Sequence, residues 1–246
     1  MLEVQNLSKI FSDKKLFEGV NLKFIEGNTY GVIGANGVGK STFLKIISGQ
    51  IEPTSGQIIK EKNKRISVLS QDHNAFDEHN VTDVVIMGNT DLFQVMQEKM
   101  LYMRILKLQW MTIQQVGELE EKFGDLGGWT AENDAQELLS NLSIPKAKWN
   151  SKMSELTANQ KIKVLLAKAL FGNPDILIMD EAPTNHLDLR SIRWLENFLI
   201  DYQNVVIVVS MIVIFLMLFV HILLTLTIMR QKSIQEIIHF ENNLLN

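Results

Sequence analysis

The chain has 246 residues, of which 46% are hydrophobic and 21% charged, and its formal net charge at pH 7 is -4. This composition is typical of a folded protein of one or two domains and excludes a largely disordered chain. The sequence contains no cysteine, which excludes disulfides, thiolate metal sites and a cysteine nucleophile. Because the net charge is negative, no global positive field attracts nucleic acid, and we expect no direct DNA binding.

Strand and helix patterns alternate along most of the chain. Period-2 alternation or short apolar runs predict strands at 2–4, 20–24, 29–33, 66–69, 176–179 and 205–209, with a turn at 13–15. Helical periodicity predicts helices at 41–48 and 162–171 and a long helical region over 81–142. The alternation predicts an α/β fold, with a mainly parallel sheet and helices packed on its faces.

A glycine-rich stretch, GANGVGKS, joins the strand at 29–33 to the helix at 41–48. From Gly34 to Ser41 it fits the pattern G-x-x-x-x-G-K-[ST], in the strand–loop–helix context that this phosphate-binding motif requires. Glycines let the backbone N–H groups point at phosphate oxygens, and the helix N-terminus adds positive partial charge. We expect Lys40 to reach the β- and γ-phosphates and the Ser41 hydroxyl to bind Mg²⁺.

A second candidate for phosphate chemistry is the run ILIMDE at 176–181. A buried strand delivers Asp180 to its C-terminal edge, where a carboxylate that organises Mg²⁺ belongs. Glu181 is then placed to orient and deprotonate an attacking water. An acidic pair after a strand is otherwise a solvated strand end, and the phosphate loop upstream favours the catalytic interpretation.

These motifs resemble the nucleotide-binding domain of ATP-binding cassette (ABC) proteins, and most closely the first domain of an ABC-F protein. The stretches that carry the resemblance run in the family's order across 1–210: LSKIFSDKKLFEGVNLKF, GVIGANGVGKSTFLKIISG, ISVLSQD, GWTAENDAQELLSNLSI, MSELTANQKIKVLLAKALFGNPDILIMDE, PTNHLD and SIRWLENFLI. The resemblance implies a P-loop NTPase fold of the ABC type, with a small β subdomain near the N-terminus and a helical subdomain at about 81–160.

The resemblance also assigns roles to individual residues. It implies that Phe11 stacks on adenine, although Phe11 could instead pack in the core beside Phe17. It implies that Gln71 senses Mg²⁺ and the attacking water, and that the loop 185–188, NHLD, communicates across a pair of cassettes. The implied catalytic residues are Glu181, Lys40 and Gln71, and the implied magnesium ligands are Ser41, Gln71 and Asp180. The remaining nucleotide contacts fall on the phosphate loop, at Gly34, Asn36, Gly37, Val38, Gly39, Lys40, Ser41 and Thr42.

Two motifs depart from the family pattern. The stretch LTANQ at 156–160 stands where cassettes carry L-S-G-G-Q, a loop that caps the γ-phosphate held by the opposite cassette. Ala158 puts a Cβ where glycine gives backbone freedom, so we expect an impaired loop. Ala182 is an extra residue inside the usual D-E-P-T, and a misplacement of catalytic groups near 1 Å costs on the order of a hundredfold in rate.

The largest departure follows Ser210. The family continues V-S-H-D-R-x-F-L, with a histidine that contacts the γ-phosphate, whereas 210–217 reads SMIVIFLM and lacks it. One base inserted after codon 210 permits the reading S-H-D-R-H-F-L-N, followed by V-V-C-T-H-I-A-D-I, and an observed residue fixes the second base of each restored codon. We therefore expect that one nucleotide is missing there and that 211–246 is an aberrant, out-of-frame apolar tail.

The predicted function is that of an ABC-F ATPase which uses ATP and Mg²⁺. By resemblance it pairs with a second cassette and acts on the ribosome in the cytoplasm. The chain ends before such a cassette, so we expect it to contain one half of each composite ATP site. One alternative is a membrane-tethered transporter subunit, because 205–229 contains no Asp, Glu, Lys or Arg and is long enough to span a bilayer. The other is a truncated, non-functional remnant whose apolar tail promotes aggregation.

Overall fold

The computed structural model describes residues 1–11, 14–69, 72–106, 113–180, 186–209, 222–225 and 237–239. The chain forms two compact units. The first comprises Met1–Gln71, Pro174–Thr184 and Arg193–Asn246, and the second comprises Asp72–Asn173 and Asn185–Ile192.

The first unit contains the strands and the helix that follows the phosphate loop. The strands are β1 (Leu2–Phe11), β2 (Lys14–Phe24), β3 (Thr29–Ile33), β4 (Ser55–Lys60), β5 (Ile66–Val68), β6 (Ile176–Asp180), β7 (Val205–Val209), β8 (Ile222–Thr225) and β9 (Ile237–His239), and the helix is α1 (Lys40–Ile47). Strands β2, β1 and β4, in that order, form an antiparallel three-stranded sheet. This sheet corresponds in position to the β subdomain expected near the N-terminus.

The second sheet of this unit has the strand order β5-β6-β7-β3-β8-β9. Its pairs are parallel, except that β8 and β9 are antiparallel, so the predicted mainly parallel sheet is confirmed. Every residue of β6 and β7 is buried, as expected for parallel strands covered on both faces. Because Val209 is in register with both Asp180 and Val32, the ends of β6, β7 and β3 lie level at one edge of the sheet.

The hydrophobic core of the first unit lies between α1 and the two sheets. Phe43 and Ile46 of α1 are buried with Phe24 of β2, Ile178 of β6 and Ile207 of β7. Burial of an aromatic or branched aliphatic side chain contributes about 1.5–3 kcal/mol each, so this packing fixes α1 and the loop in front of it.

The second unit is helical. It contains α2 (Val81–Ile86), α3 (Thr90–Leu106), α4 (Ile113–Asp125), α5 (Ala131–Asn141) and α6 (Ala158–Leu170), with 3₁₀ turns at Lys146–Lys148 and Met153–Glu155. Helix α7 (Leu189–Ile200) begins in this unit and ends in the first. The backbone just after α2 approaches α6 closely at Gly88, where a Cβ would lie 1.9 Å from the Lys168 carbonyl oxygen.

The predicted elements differ from the observed ones mainly in their bounds. Strands β1 and β2 are longer than predicted: Lys14 and Lys15, which the prediction placed in a turn at 13–15, belong to β2 and pair with Phe11 and Ile10. The helical region predicted over 81–142 is interrupted at Gly127, whose φ of +76° only glycine adopts readily. Strand β4 and helix α7 were not among the predicted elements.

The segment 205–229, the candidate bilayer span, is described only in part. Its described parts are the strands β7 and β8. Both strands pair with β3 in the parallel sheet. Across the described ranges, no helix combines the length and apolarity that a bilayer crossing needs. Most of the expected aberrant tail, 211–246, lies outside the described residues.

Candidate functional site

A cavity of about 490 Å³ opens at the C-terminal edge of the parallel sheet. Crevices at this edge are the usual ligand sites of open α/β sheets. The lining residues come from β1, β2, the loop after β3, α1 and the ends of β6 and β7: Phe11, Leu16, Asn36, Gly37, Gly39, Lys40, Ser41, Thr42, Asp180 and Val209. Eight of these ten were predicted from the sequence, so the fold brings most of the candidate nucleotide-binding residues to one place.

The glycines of the loop adopt conformations that other residues avoid. Gly37 and Gly39 have φ angles of +77° and +102°. A Cβ on Gly39 would lie 3.2 Å from the Leu16 Cβ, whereas one on Gly37 would meet nothing within 4 Å. The loop therefore needs glycine at Gly39 for both conformation and space, and at Gly37 for conformation alone.

Lys40 is held by the loop that it follows. It is 9% exposed, and its Nζ donates to the carbonyl oxygens of Gly34 and Ala35 at 2.8 and 3.1 Å. Helix α1 begins at Lys40, with Gly39 as an N-cap that provides no side-chain cap. The first N–H groups of α1 are therefore open to an anion at this end of the cavity.

Of the remaining predicted loop residues, Val38 is 6% exposed and does not line the cavity. Gly34 is also not a lining residue and contributes its carbonyl oxygen to Lys40 instead. Asn36 is exposed, and Ser41 and Thr42 occupy the first turn of α1.

Phe11 and Asp180 both line the cavity, although they are far apart in the sequence. Phe11 is 48% exposed, so it is not the core residue of the alternative interpretation; Phe17 is, in edge-to-face contact with Phe43. The Lys9 ammonium lies 4.9 Å from the centre of the Phe11 ring. Asp180 is 9% exposed at the end of β6. The exposed Phe11 ring suits an aromatic group, and Lys40 with the N–H groups at the start of α1 suits an anionic one, whereas the Asp180 carboxylate suits a cation.

The donor set of the cavity fits Mg²⁺ that arrives with a polyphosphate. The Ser41 hydroxyl and the Asp180 carboxylate are oxygen ligands, which Mg²⁺ prefers. The part of the chain that the structure describes contains no cluster of three acidic or histidine side chains able to hold a metal alone. A magnesium ion at this site would therefore take its other ligands from phosphate and water, as is usual for it.

The loop 156–160 begins α6 in the second unit. Thr157 is the N-cap; its hydroxyl accepts from the Gln160 N–H at 3.4 Å, and its own N–H donates to Gln160 Oε1 at 3.0 Å. Ala158 starts the helix and is not among the residues with positive φ. The helical conformation at Ala158 tolerates a Cβ, and the expected impairment of the loop stays a prediction.

Side chains of α6 hold the segment 186–188. The imidazole Nδ1 of His186 lies 3.2 Å from Asn159 Oδ1, and Lys163 Nζ donates to Asp188 at 2.5 Å. The hydrogen bond from Lys163 is the largest cause that holds the pKa of Asp188 well below its usual range, and N–H and O–H donation by Ser191 adds to it. Gln71, Glu181, Ala182 and Asn185 lie outside the described residues, so their predicted roles stay predictions.

Sequence reasoning missed four residues that this geometry brings forward. Leu16 and Val209 line the cavity. Val209 could have been predicted, because its strand ends at the edge where Asp180 lies. Lys161 and Lys163 are buried in α6, each 8% exposed, and two lysines inside an otherwise apolar helical stripe were the available signal.

The chain resembles known proteins along most of its length. Residues 17–185 match the family model described as ABC transporter. The ABC transporter ATP-binding protein YkpA of Bacillus subtilis is 52% identical over 211 residues, which cover 85% of this chain and 39% of YkpA. The ATP-binding protein Uup of Haemophilus influenzae is 35% identical over 81% of this chain and 31% of its own. The chain thus spans about two fifths or less of these relatives.

A more distant relative and the solved structures extend this picture. The energy-dependent translational throttle protein EttA of Mycobacterium tuberculosis is 28% identical over 84% of this chain and 37% of EttA. An ATP-binding subunit of an ABC transporter has a TM-score of 0.71 over 92% of this chain and 85% of its own, at 18% identity. The cassette MJ0796, solved as a dimer bound to ADP and Pi, has a TM-score of 0.63 over 92% and 94% of the two chains, at 20% identity. The predicted P-loop cassette fold is confirmed, and the relatives include ABC-F proteins, as the motifs indicated.

Proposed function

Since the chain belongs to the ABC transporter family of ATP-binding cassettes, we propose that its cavity binds ATP with Mg²⁺ and that it is one cassette of an ABC-F-type ATPase. The observation that carries the proposal is the cavity itself. It brings Lys40, Ser41 and Asp180 together at the sheet edge, with an exposed aromatic ring at Phe11. These are the partners that a polyphosphate, its magnesium ion and a purine base require.

The roles of the described residues follow from their chemistry. Lys40 exchanges its two carbonyl acceptors for phosphate oxygens, and the N–H groups at the start of α1 stabilise the same charge. Ser41 and Asp180 hold Mg²⁺, which when bound neutralises charge on the phosphates. Asp180 is nearly buried at the end of a strand buried along its whole length, so little rearrangement is needed to present its oxygens.

Hydrolysis needs two further groups, which we assign from the sequence. Glu181 is the proposed general base and Gln71 the proposed sensor of Mg²⁺ and water. The loops 156–160 and 185–188 belong to a composite site, so turnover requires a second cassette, in trans or in a longer parent chain. We expect hydrolysis by this chain alone to be weak.

The proposed cellular role is in translation. The name of EttA describes a translational throttle, and by resemblance to ABC-F proteins we infer ribosome association in the cytoplasm. The three relatives are each more than twice as long as the matched region, so this role belongs to a two-cassette protein.

Thermal unfolding with and without ATP–Mg²⁺ tests nucleotide binding. A ligand at a hundred times its Kd stabilises the folded chain by about 2.7 kcal/mol. For a chain of this size that corresponds to roughly 5–10 °C in Tm. Lys40→Met should remove most of the shift, whereas Lys45→Met, which removes an exposed lysine from the same helix, should retain it. No shift in the unmodified chain would refute the nucleotide-binding proposal and favour a non-functional remnant.

Co-sedimentation with ribosomes tests the translation role separately. The experiment uses a longer parent chain that contains the second cassette. In ATP, its Glu181→Gln variant should trap the bound nucleotide and increase the amount of protein in the ribosomal pellet, whereas its Lys40→Met variant should stay in the supernatant. If ATP stabilises the present chain but neither the parent chain nor its Glu181→Gln variant pellets with ribosomes, the translation role is wrong and nucleotide binding stands.

A further inference from the structure

The end of β1, which carries Phe11 to the cavity, is attached to the loop 48–54 that follows α1. The Thr54 N–H donates to the Ser8 carbonyl oxygen at 2.9 Å. The Ile10 N–H donates to Thr54 Oγ1 at 3.0 Å, and this hydroxyl donates to the Ile10 carbonyl oxygen at 3.4 Å. These hydrogen bonds hold the backbone as far as the residue before Phe11.

Lys9 connects the same loop to the ring of Phe11 itself. Lys9 Nζ donates to the Glu52 carbonyl oxygen at 2.7 Å and lies over the Phe11 ring, 4.9 Å from its centre. This distance is within the range of an attractive cation–π interaction. A ring that is 48% exposed is not fixed by close packing in the way that a core ring is, so the ammonium contributes to its orientation.

The loop 48–54 can support Lys9 because it is bonded to the last turn of α1. The N–H groups of Gln50 and Ile51 both donate to the Lys45 carbonyl oxygen, at 2.8 and 3.2 Å. Helix α1 begins at the phosphate loop, and its buried face packs in the core of the first unit. The aromatic ring at one end of the cavity and the helix at the other are therefore joined through one short, hydrogen-bonded segment.

We propose that Lys9 is a positioning residue for the nucleotide base, which holds the Phe11 ring in the orientation that lets the base stack on its opposite face. The proposal rests on the proposed nucleotide-binding function. A cation over one face of an aromatic ring leaves the other face for a flat ligand. Because the ring is ordered before the ligand arrives, less rotamer freedom is lost on binding and the affinity is higher.

The position of Lys9 separates its effect from that of the phosphate loop. Lys40 and Ser41 line the cavity, whereas Lys9 reaches it only through the ring of Phe11. Loss of the Lys9 ammonium should therefore weaken the binding of ligands that carry a base. It should leave the binding of a polyphosphate without a base unchanged, because such a ligand makes no contact with the ring.

Calorimetric titration of the full chain with ATP–Mg²⁺ and with tripolyphosphate–Mg²⁺ tests the proposal. Stacking of a base on an aromatic side chain contributes about five- to 150-fold in affinity, so Phe11→Ala should weaken ATP binding by a factor in this range. An exposed cation–π contact contributes about two- to fivefold. We expect Lys9→Met to weaken ATP binding by this smaller factor and to leave tripolyphosphate binding unchanged.

Three further variants separate positioning from loss of charge or of structure. Lys9→Arg keeps a cation over the ring and should retain the affinity of the unmodified chain for ATP. Lys14→Met removes an equal charge at the residue of β2 that pairs with Phe11, and it should leave ATP binding unchanged. In a Phe11→Ala background, Lys9→Met should have no further effect, because the ring through which Lys9 acts has been removed.

The outcomes are distinguishable. If Lys9→Met leaves ATP binding unchanged, weakens ATP and tripolyphosphate by the same factor, or remains effective without Phe11, Lys9 does not act through the ring and the proposal is refuted. If Phe11→Ala leaves ATP binding unchanged, the base does not stack there and the proposal fails, whereas nucleotide binding stands. If neither ligand binds the unmodified chain, the proposed function fails and the positioning role fails with it.

Discussion

Substitution of Gly39 by alanine tests the conformational and steric requirements of the phosphate loop. Gly39 combines a φ of +102° with a short distance, 3.2 Å, between an added Cβ and the Leu16 Cβ. A left-handed conformation costs an alanine roughly 1–2 kcal/mol. Contacts of this length require Leu16 to move by a few tenths of an ångström, which adds about 1–2 kcal/mol. We expect Gly39→Ala to destabilise the chain by about 2–4 kcal/mol.

Gly37→Ala is the matched control for this experiment. Gly37 has a φ of +77° and no atom within 4 Å of an added Cβ, so only the conformational cost of about 1–2 kcal/mol applies. Urea unfolding without nucleotide, followed by tryptophan fluorescence, measures both variants. The midpoint should fall for each, and by about twice as much for Gly39→Ala, with an unchanged slope against urea.

A double substitution isolates the steric part of the effect. Leu16→Ala removes the Cδ1 atom that an added Cβ on Gly39 meets at 3.3 Å, although its own Cβ stays. Combined with Gly39→Ala, it should recover about 1 kcal/mol relative to the sum of the single effects. Equal destabilisation by Gly37→Ala and Gly39→Ala, or strict additivity in the double variant, would refute the assigned contact between Gly39 and Leu16.

Three further predictions concern charge, metal and reading frame. The pKa of Asp188 is lower in the folded chain than the ordinary carboxyl value of about 4, so its pairing contributes stability that is present above pH 4 and is lost as pH falls through the folded value. In urea titrations from pH 6 to pH 2.5, Asp188→Asn should therefore lose less stability at acid pH than the unmodified chain. An equal loss in both would contradict the pairing of Asp188 with Lys163. Asp180→Asn should make the thermal shift by ATP insensitive to removal of Mg²⁺ with EDTA, whereas a shift that still depends on Mg²⁺ would exclude Asp180 as a ligand. Sequencing the gene across codons 200–246 from independent clones should give a base string in which one inserted base after codon 210 yields Ser-His-Asp-Arg; a string incompatible with that reading would remove the frameshift hypothesis.

Elements with strong local signals could be predicted from the sequence almost residue for residue. Strands β3 and β7 have the predicted bounds, because short β-branched or apolar runs flanked by polar residues determine both. Strand β4, SGQIIK, carries no such signal: its residues are mostly exposed, and it forms through pairing with β1, some fifty positions away in the chain. Tertiary pairing of this kind outweighs local propensity and leaves little trace in the sequence.

The candidate site shows the same contrast between residues with a local sequence signal and residues placed by long-range packing. The phosphate loop and Asp180 were predictable because a motif and a strand end specify them locally. The contact of Lys161 with Asp77 joins residues 84 positions apart, and only the packing of α6 against the segment 72–79 creates it. The helical conformation of Ala158 follows from where α6 starts, which the sequence pattern placed four residues too late, at 162 instead of at Ala158.

The hydrogen bonds of Lys40 to the phosphate loop affect which anions can bind there. With Gly34 and Ala35 as acceptors, Lys40 already has partners within the loop, so an incoming anion must compete with two carbonyl dipoles. A single inorganic phosphate makes few other contacts and competes poorly. A nucleoside triphosphate also contacts the helix N-terminus, the magnesium ion and, through its base, the aromatic ring. Together these contacts favour its phosphates over the carbonyl groups as partners of Lys40. The two carbonyl contacts of Lys40 therefore favour a ligand that makes several contacts at once over a single small anion.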